Sequence, residues 1–359
     1  MIKKYDTENK FISMFEPKTG FYLRSGVIEN GKDTGVDPFM ASFPELLDIG
    51  IMETCVCSHK CNVDCYQKAI SRTGSNMSVS DFESIILQSK GKLFQVALGG
   101  AGDPDTHESF ENILKICRTH NIVPNFTTSG IAMTEHKAKI CKKYCGAVAV
   151  SEHFADYTSK ALDLLLSVGV KTNIHYVLSN ESIDNAIDML KSNGFKKGIN
   201  AVIFLLYKPV GLGCEEKVLD TKNPKVKEFF SLIDNGKFDF KIGFDSCSCS
   251  GIVNFTKNVN LESIDFCEGG RYSAYIDADM HMMPCSFANQ NNEWFVDLRK
   301  YSVQEAWESE IFDRFRYSLK NSCPKCAGRC SCAGGCPLVN QITLCGREER
   351  NFKSKSIGR

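Results

Sequence analysis

The sequence predicts an α/β fold in which parallel strands form a partial barrel and a cysteine-rich region follows. Strand-like and helix-like stretches alternate from Leu46 to about Asp234, which is typical of repeated β/α units. After Gly236, short apolar and glycine-containing segments replace the helices. The 359-residue chain also contains 18 cysteines, many of them at short spacings. These observations indicate a barrel region and a separate cysteine-rich region.

Six β/α units follow one another in the barrel region. Their predicted strands are Leu46–Met52, Leu93–Leu98, Ile122–Thr127, Ala147–Ser151, Val170–Leu178 and Ala201–Tyr207. The first predicted helix opens at a capping box, Ser80-Asp81-Phe82-Glu83, and the second contains Phe110–Cys117. The other four cover Glu135–Tyr144, Ser159–Val168, Ile183–Lys191 and Lys225–Ile233. Right-handed crossovers between parallel strands place all the strand C-terminal ends on one rim. Six units do not close an eight-stranded barrel, so we expect an open, TIM-like (β/α)6 barrel with its chemistry on that rim.

The chain divides into three predicted parts. Residues 1–45 are a lead-in that caps the barrel, residues 46–236 form the barrel, and residues 237–359 form the cysteine-rich domain. Nothing in the first 45 residues predicts a separate peptide-recognition domain.

Composition argues against several classes of protein. The 43 lysines and arginines balance 43 aspartates and glutamates, which argues against nucleic acid or an anionic membrane as the main partner. No apolar run reaches the roughly 18 residues of a membrane span, and residues 1–6 lack the apolar region of a signal peptide. We therefore expect a cytoplasmic protein whose cysteines bind metal rather than form disulfides.

Four cysteines lie directly after the first predicted strand, at positions 55, 57, 61 and 65. Thiolates are the usual ligands of iron–sulfur clusters and of structural zinc. The spacing Cys57-x3-Cys61-x3-Cys65 provides three close ligands. Three ligands on a four-iron cluster leave one iron open for a substrate or cofactor. A zinc loop or a redox-active cysteine loop is the alternative.

This cysteine loop and the glycine loop Gly99-Gly100-Ala101-Gly102-Asp103-Pro104 together resemble the radical S-adenosylmethionine (radical SAM) superfamily. Its members carry Cys-x3-Cys-x2-Cys with an aromatic residue near the last cysteine, and here Tyr66 follows Cys65. The second gap is three residues here, so either Cys57 or Cys55 is the first ligand, and the family spacing to Cys61 favours Cys57. The resemblance implies a 4Fe–4S cluster whose fourth iron binds S-adenosylmethionine, and a 5′-deoxyadenosyl radical that abstracts hydrogen from a substrate.

The resemblance also implies cofactor contacts at the strand ends. The family's glycine loop meets the methionine amine of the cofactor, which indicates Gly99, Gly100 and Asp103. Adjacent glycines let a backbone approach a ligand closely. Ser129 and Ser151 resemble family positions that contact the methionyl carboxylate or the ribose, and an ordinary cap or turn hydroxyl is the alternative for each.

The C-terminal cysteines resemble the SPASM domain of peptide-modifying radical enzymes. The pattern is Cys267-x17-Cys285, then Cys323-x2-Cys326-x5-Cys332-x3-Cys336, then Cys345. The resemblance implies two auxiliary 4Fe–4S clusters, and the family's interleaved ligation gives their ligands. The first would be held by Cys247, Cys267, Cys285 and Cys336, with Cys249 as the competitor of Cys247, and the second by Cys323, Cys326, Cys332 and Cys345. Cys330 is surplus, zinc ribbons are the alternative, and Met280 at a family glycine position predicts a less tight hairpin.

We therefore expect a radical SAM enzyme with a SPASM domain that modifies a peptide or protein side chain. The expected reaction is a crosslink or a side-chain oxidation, and a reductant such as flavodoxin or ferredoxin would supply electrons. No catalytic side chain is identified by the sequence. A radical SAM enzyme with a small-molecule substrate and a non-catalytic iron–sulfur or zinc module are the alternatives.

Overall fold

The computed structural model describes residues 1–57, 61, 63–290, 293–321, 323, 326 and 332–345. Its centre is a sheet in which seven consecutive strands are parallel and each strand lies beside the one before it. These strands are β6 Leu46–Met52, β7 Gln95–Gly100, β8 Val123–Thr128, β9 Val148–Ser151, β10 Thr172–Leu178, β11 Ala201–Leu206 and β12 Lys241–Phe244. Strands in unbroken chain order put every crossover helix on one face, so the other face becomes the barrel interior. The predicted α/β partial barrel is confirmed.

Six helices cover the outer face of these strands. They are α1 Val79–Ser89, α2 Phe110–Thr119, α3 Glu135–Tyr144, α4 Ala155–Ser167, α5 Ile183–Lys191 and α6 Pro224–Asn235. Apolar residues at helical spacing face the sheet, as in α2, where Phe110, Ile113 and Cys117 are buried. The predicted cap of α1 is wrong, because Ser78, not Ser80, accepts the hydrogen bond from the Asp81 amide.

The sheet extends beyond the six predicted units at both ends. Strand β12 adds a seventh parallel strand beside β11. On the other side, β13 Ser273–Ile276 pairs in parallel with β6 and continues through β14 His281–Met283 to β15 Val296–Asp297. Both additions come after residue 236, so one continuous sheet crosses the position where the sequence suggested a domain boundary.

The turn between β13 and β14 has a glycine-like backbone at Met280, with φ 67°. The Met280 amide donates to the Asp277 carbonyl at 3.1 Å, and its carbonyl accepts from the Leu298 amide at 2.8 Å. The methionine side chain is 3% exposed. The expected looser turn is therefore wrong, since burial and these two hydrogen bonds hold Met280 in the left-handed region that glycine favours.

Residues 1–45 form a small antiparallel sheet beneath the barrel. Its strands are β1 Ile2–Asp6, β2 Phe11–Phe15 and β3 Tyr22–Arg24, followed by the hairpin β4 Ile28–Glu29 and β5 Lys32–Asp33. Phe15 packs with Phe94 and Val123 at the N-terminal ends of β7 and β8. The small sheet thus lies at the end of the barrel opposite the cysteine loop. A cavity of about 280 Å³ extends from Phe15 into the barrel interior as far as Thr127 and His175.

The other α-helices among the described residues belong to the C-terminal region. They are α7 Cys249–Phe255, α8 Val303–Trp307 and α9 Glu310–Asn321. Short 3-10 segments cover Ala69–Ser71, Pro104–Thr106, Glu215–Lys217, Ser246–Ser248, Leu261–Ser263, Ser286–Gln290 and Asn340–Ile342. The indole of Trp307 is fully buried and donates to the Ala41 carbonyl at 3.0 Å, which joins this region to the N-terminal part.

Within the described residues, no helix combines the length and apolar character needed to cross a membrane.

Candidate functional site

The cysteine loop and the glycine loop lie side by side at the C-terminal ends of β6 and β7. The strands pair Gly50 with Gly99 and Met52 with Gly100, and the Ala101 amide donates to the Met52 carbonyl at 2.7 Å. Gly100 has φ 117°, and a Cβ atom there would lie 2.3 Å from the Met52 carbonyl oxygen. A Cβ at Gly102 would likewise lie 2.2 Å from the Thr54 carbonyl oxygen. The glycines are therefore required for the two loops to approach each other.

Three thiols of the cysteine loop gather next to Asp103. Burial, followed by the charges of Cys55 and Asp103, raises the pKa of the Cys57 thiol to about 12. Burial also raises the pKa of Cys55, to which Asp103 and Cys61 contribute. The Cys57 amide points at the Cys55 sulfur at 3.4 Å. Cys55 and Cys57 are thus both near Cys61, and the choice of first ligand stays open.

The fourth cysteine of this loop is held through its backbone by the segment after β11. The Cys65 carbonyl accepts from the Leu212 amide at 3.1 Å. Asp64 accepts from the Tyr207 hydroxyl at 3.0 Å and pairs with Lys217 at 2.8 Å. A Cβ at Gly211 would meet the Cys65 and Tyr66 carbonyl oxygens at 2.5 and 2.4 Å. This segment therefore supports the cysteine loop at its far end.

The structure pairs two of the predicted cofactor contacts with each other. The Ser129 amide donates to Asp103 at 2.9 Å, and the Ser129 hydroxyl donates to the other carboxylate oxygen. Burial raises the pKa of Asp103, while the Ser129 hydrogen bonds oppose that shift. The neighbouring Asp105 accepts from the Thr128 hydroxyl at 2.9 Å and lies 3.5 Å from the Lys137 ammonium. Two carboxylates thus turn towards the end of β8.

The other predicted contact, Ser151, ends β9 and pairs in register with His175 on β10. Its carbonyl accepts from the Thr158 hydroxyl at 2.8 Å, which fixes the start of α4 against the rim. His175 points into the barrel, where its Nδ1 lies 3.3 Å from the Thr127 hydroxyl. Burial lowers the pKa of His175 to about 4, so the ring is neutral at neutral pH.

Asp48 is a functional candidate that the sequence reasoning missed. It lies in β6 and is paired in register with Tyr275 of β13 and Ala97 of β7. Among the described residues its carboxylate makes no hydrogen bond and no ion pair. Burial raises its pKa to about 7. A carboxylate with this pKa can accept a proton at neutral pH, and its signal in the sequence was a single acidic residue inside an apolar strand.

The surroundings of Asp48 connect the two cysteine-rich parts of the chain. Its charge raises the pKa of Tyr66, beside Cys65, and of Cys285 in the C-terminal region, although burial is the larger cause for both. The Tyr66 ring lies 4.7 Å from the Phe287 ring, measured between centroids. The Tyr275 hydroxyl accepts from the Gln67 amide at 3.3 Å. Asp48 therefore lies between the first cysteine loop and Cys285.

The four cysteines proposed for the first auxiliary cluster come together. A hydrogen bond with Cys336 and burial raise the pKa of Cys247 well above its ordinary value. Burial and the charges of Cys247 and Cys285 do the same for Cys267. Cys247 and Cys336 also pack in one apolar cluster with Phe287. The competitor Cys249 has Cys332, Asp265 and Arg271 as electrostatic neighbours, and Arg271 also acts on Cys267, so the choice between Cys247 and Cys249 stays open.

The cysteines proposed for the second auxiliary cluster also interact. The pKa of Cys332 is raised by burial and by the charges of Cys326, Cys323 and Cys345. The Cys326 amide donates to the Cys323 carbonyl at 3.0 Å, which holds these two residues close together. The surplus Cys330 lies outside the described residues.

Backbone amides are directed at several of these sulfurs. The amides of Gly269, Phe287 and Gly334 each lower the pKa of the cysteine two residues earlier, namely Cys267, Cys285 and Cys332. Amide donors of this kind stabilise thiolates and tune iron–sulfur clusters. Cys55 has the same contact from the amide of Cys57. These donors fit a bound cluster, because a protonated thiol needs no such stabilisation.

No described cysteine forms a disulfide. In the described part of the chain, no group of three or more His, Cys, Asp or Glu side chains is arranged to hold a single metal ion. The ligands of a four-iron cluster bind different irons and are spaced more widely than those of one ion. The thiol sets and their amide donors therefore suit iron–sulfur clusters.

Comparison with known proteins agrees with this arrangement. Residues 267–331 match the SPASM family, an iron–sulfur cluster-binding domain. No curated protein matches the chain.

Solved structures share the fold. SuiB of Streptococcus suis bound to S-adenosylmethionine has a TM-score of 0.67 at 17% identity, over 86% of this chain and 78% of SuiB. SuiB bound to its precursor peptide SuiA has a TM-score of 0.65 at 18% identity, over 86% and 77%. The anSMEcpe structure with AdoMet and the Cp18Cys peptide has a TM-score of 0.58 at 18% identity, over 82% of this chain and 89% of anSMEcpe.

The predicted fold is confirmed: the chain shares the α/β fold of SuiB and anSMEcpe, and its residues 267–331 match the SPASM iron–sulfur cluster-binding domain.

Proposed function

We propose that this protein is a radical SAM enzyme that modifies a side chain of a peptide or protein. The observation that carries the proposal is the meeting of the cysteine loop and the glycine loop on the rim of an open barrel, with a SPASM domain joined to the same sheet. Open barrel rims formed by strand C-terminal ends are common sites of catalysis. The fold alone does not define an activity, so the proposal rests on these thiols and loops.

In this proposal Cys57, Cys61 and Cys65 hold a 4Fe–4S cluster with one open iron, and Cys55 is the alternative to Cys57. Bound S-adenosylmethionine would supply a carbon-centred radical that removes a hydrogen atom from the substrate. Gly99 and Gly100 let the backbone approach this cofactor. Asp103, oriented by Ser129, binds its amine, and Ser151 provides a further polar contact on the rim. These roles are supported by the packing of the loops and by the Asp103–Ser129 hydrogen bonds.

The SPASM domain would hold two auxiliary 4Fe–4S clusters, one on each set of four thiols. Their proposed ligands are Cys247, Cys267, Cys285 and Cys336 for the first, and Cys323, Cys326, Cys332 and Cys345 for the second. The mutual proximity of the thiols and the amide donors supports this assignment. Such thiolates are stable in a reducing compartment, which favours the cytoplasm.

A peptide or protein is the proposed substrate. SuiB and anSMEcpe, whose folds are similar, have both been seen with peptides. Apolar side chains of the loops that meet at the rim are exposed, namely Val56 at 65% and Leu212 at 47%. Such side chains can contact a peptide that enters the barrel mouth. The reaction is proposed to be a crosslink or the oxidation of a serine or cysteine, with flavodoxin or ferredoxin as the reductant.

Asp48 gives this site a proton acceptor. After loss of a hydrogen atom, an oxidised product forms when the substrate gives up one further electron and one proton. Asp48 has no ion-pair partner among the described residues and its pKa is near neutrality, so it can take the proton. Cys247, Cys267, Cys285 and Cys336 would hold the auxiliary cluster that would accept the electron in its oxidised state.

The proposal is tested by anaerobic incubation of the reconstituted protein with reductant and S-adenosylmethionine, followed by measurement of 5′-deoxyadenosine. Wild type is expected to produce it. Cys61→Ala is expected to abolish cleavage because it removes a ligand of the open cluster. Cys332→Ala is the matched cysteine variant and is expected to retain cleavage, since it affects only the second auxiliary cluster.

Two results would contradict the proposal. Absence of 5′-deoxyadenosine from wild type with intact clusters would exclude the radical chemistry. Zinc in place of iron would favour a binding module. A small-molecule substrate is the remaining alternative, and it predicts that peptides with serine, cysteine or aromatic side chains do not stimulate cleavage.

A further inference from the structure

Lys208 is a buried cation between the barrel and the first auxiliary thiol set. It follows β11 and is 8% exposed. Its ammonium donates to Asp245 at 2.7 Å and to the Leu206 carbonyl at 2.9 Å. Burial opposes the charge, but Asp245 together with Cys247 and Cys336 outweighs burial and the pKa of Lys208 is raised, so the residue is a cation at neutral pH.

Asp245 is itself held in place by the backbone and by the 3-10 segment Ser246–Ser248 before α7. Its other carboxylate oxygen accepts from the Ser248 hydroxyl at 2.7 Å, and its amide donates to the Phe204 carbonyl at 3.0 Å. An ion pair in such a setting costs desolvation energy, which the Coulomb attraction offsets only with good geometry. The pair is therefore a fixed arrangement of charge.

The ammonium of Lys208 acts on three of the four proposed cluster ligands. Its charge interacts with Cys247 and Cys336 and lowers the pKa of Cys285 against the larger effect of burial. It also lies 4.6 Å from the centroid of the Phe287 ring, which packs with Cys247 and Cys336 in one apolar cluster. A positive charge is thus held beside the thiols on a side chain that has little contact with solvent.

We propose that Lys208 raises the reduction potential of the cluster bound by Cys247, Cys267, Cys285 and Cys336, acting as a fixed positive charge beside it. The inference rests on the proposed function. One-electron reduction adds a negative charge to the cluster, and a nearby cation stabilises that form. The effect is large where the surroundings have a low dielectric constant, as they do beside a buried lysine.

This role fits the electron balance of the proposed reaction. The substrate loses one electron after hydrogen abstraction, and the oxidised cluster gains it. A higher potential makes the cluster a better acceptor. Lys208 touches neither substrate nor cofactor in this scheme and is a residue that tunes the acceptor.

The test is a potentiometric titration followed by electron paramagnetic resonance on the reconstituted full chain. Replacing Cys57, Cys61 and Cys65 with alanine removes the cluster of the barrel rim. The two reduction steps that remain belong to the two auxiliary clusters of the SPASM domain. Lys208→Met is expected to lower the reduction potential of one of these clusters by at least about 59 mV. At a given applied potential, this changes the ratio of its reduced to its oxidised form about tenfold. Lys208→Arg keeps the charge and is expected to restore the wild-type potential. The reduction potential of the other auxiliary cluster is expected to stay unchanged in both variants.

Asp245→Asn provides a variant of opposite sign, because it leaves the positive charge without its counterion, and an upward shift of the same step is expected. Lys196→Met is the matched control, since it removes a surface lysine paired with Asp163 at 2.6 Å. The inference is overturned if Lys208→Met and Asp245→Asn leave both potentials unchanged. If Lys208→Met does not fold, the absence of an upward shift in Asp245→Asn overturns it alone. A SPASM domain without iron in wild type instead overturns the proposed function, and the inference with it.

Discussion

The carboxylate of Asp103 accepts two hydrogen bonds from Ser129, one from the backbone amide at 2.9 Å and one from the hydroxyl. The two residues come from loops after neighbouring strands, β7 and β8. The sequence reasoning assigned each of them a separate cofactor contact. The structure joins the two residues, so we propose that Ser129 orients the Asp103 carboxylate towards a cationic group that approaches the rim.

Ser129→Ala is expected to weaken binding of S-adenosylmethionine about tenfold, because hydrogen bonds to charged groups contribute about 1.5–3 kcal/mol. The backbone hydrogen bond remains, so binding is not abolished. The measurement is a titration of the cluster's electron paramagnetic resonance signal with S-adenosylmethionine. Ser167→Ala, which removes an exposed hydroxyl at the end of α4, is the control. Equal affinities for the two variants would show that Ser129 does not orient Asp103 for binding.

Gly100→Ala is expected to destabilise the protein by at least about 3 kcal/mol and to lower its iron content. Strained backbone costs about 1–3 kcal/mol, and here the added Cβ also meets the Met52 carbonyl oxygen at 2.3 Å. Relief of that clash would move the glycine loop away from the cysteine loop. Urea unfolding and iron analysis under anaerobic conditions measure the two effects.

Gly91→Ala is the matched control for Gly100→Ala. Gly91 also has a positive φ, 77°, but a Cβ there meets nothing within 4 Å. Its cost is expected to be about 1–2 kcal/mol, from the left-handed backbone alone. Similar losses in both variants would mean that close packing of the two loops is not required.

The sequence predicted the repeating part of the fold well, because each β/α unit contains a local signal. Helices α3 and α5 begin and end where predicted, since apolar periodicity and helix-stop residues coincide there. Strands β12 and β13 were missed. Each has only four residues, too few for a clear alternating pattern, and β13 also pairs with β6, which lies far earlier in the chain, so pairing rather than local pattern determines them.

The sequence indicates site residues where their spacing points to a chemistry. It does not indicate residues whose chemical properties come only from their burial in the fold. The cysteine sets were predicted from sequence spacing together with the family resemblance, and the structure brings Cys247 and Cys336 into contact. Asp48 and Lys208 have no spacing signal. Their properties come from desolvation and from partners such as Asp245, which depend on the complete fold.

Cys57→Ala is expected to prevent 5′-deoxyadenosine formation, whereas Cys55→Ala is expected to retain it. Cys57 has the family spacing to Cys61 and is 9% exposed. Cys55 lies close to both and accepts from the Cys57 amide, so it remains a rival ligand. The two variants are distinguished by their iron content, by the electron paramagnetic resonance signal of the cluster on the barrel rim, and by the amount of 5′-deoxyadenosine formed. Loss of cleavage only in Cys55→Ala would reverse the assignment.

Asp48→Asn is expected to stabilise the protein at neutral pH and to have less effect in acid. Burial raises the pKa of Asp48 from 3.8 to about 7, so between these values the folded protein keeps a proton that the unfolded chain has released. Unfolding then releases a proton, and the free energy of unfolding falls as the pH rises from about 4 to about 7. The amide that replaces the carboxyl group does not titrate, so the advantage of the variant grows across this range towards an upper bound of about 4 kcal/mol.

The measurement for Asp48 is urea unfolding of the variant and of wild type at several pH values between 5 and 8, chosen roughly to span the upper part of this window. Asp163→Asn removes an exposed carboxylate on α4 and controls for the loss of one charge. A constant difference between Asp48→Asn and wild type across the series would mean that Asp48 ionises normally. It would then be a conventional solvated carboxylate, and its proposed role as proton acceptor would lose its physical basis, because a base that is already ionised well below neutral pH has little affinity for the proton of a substrate.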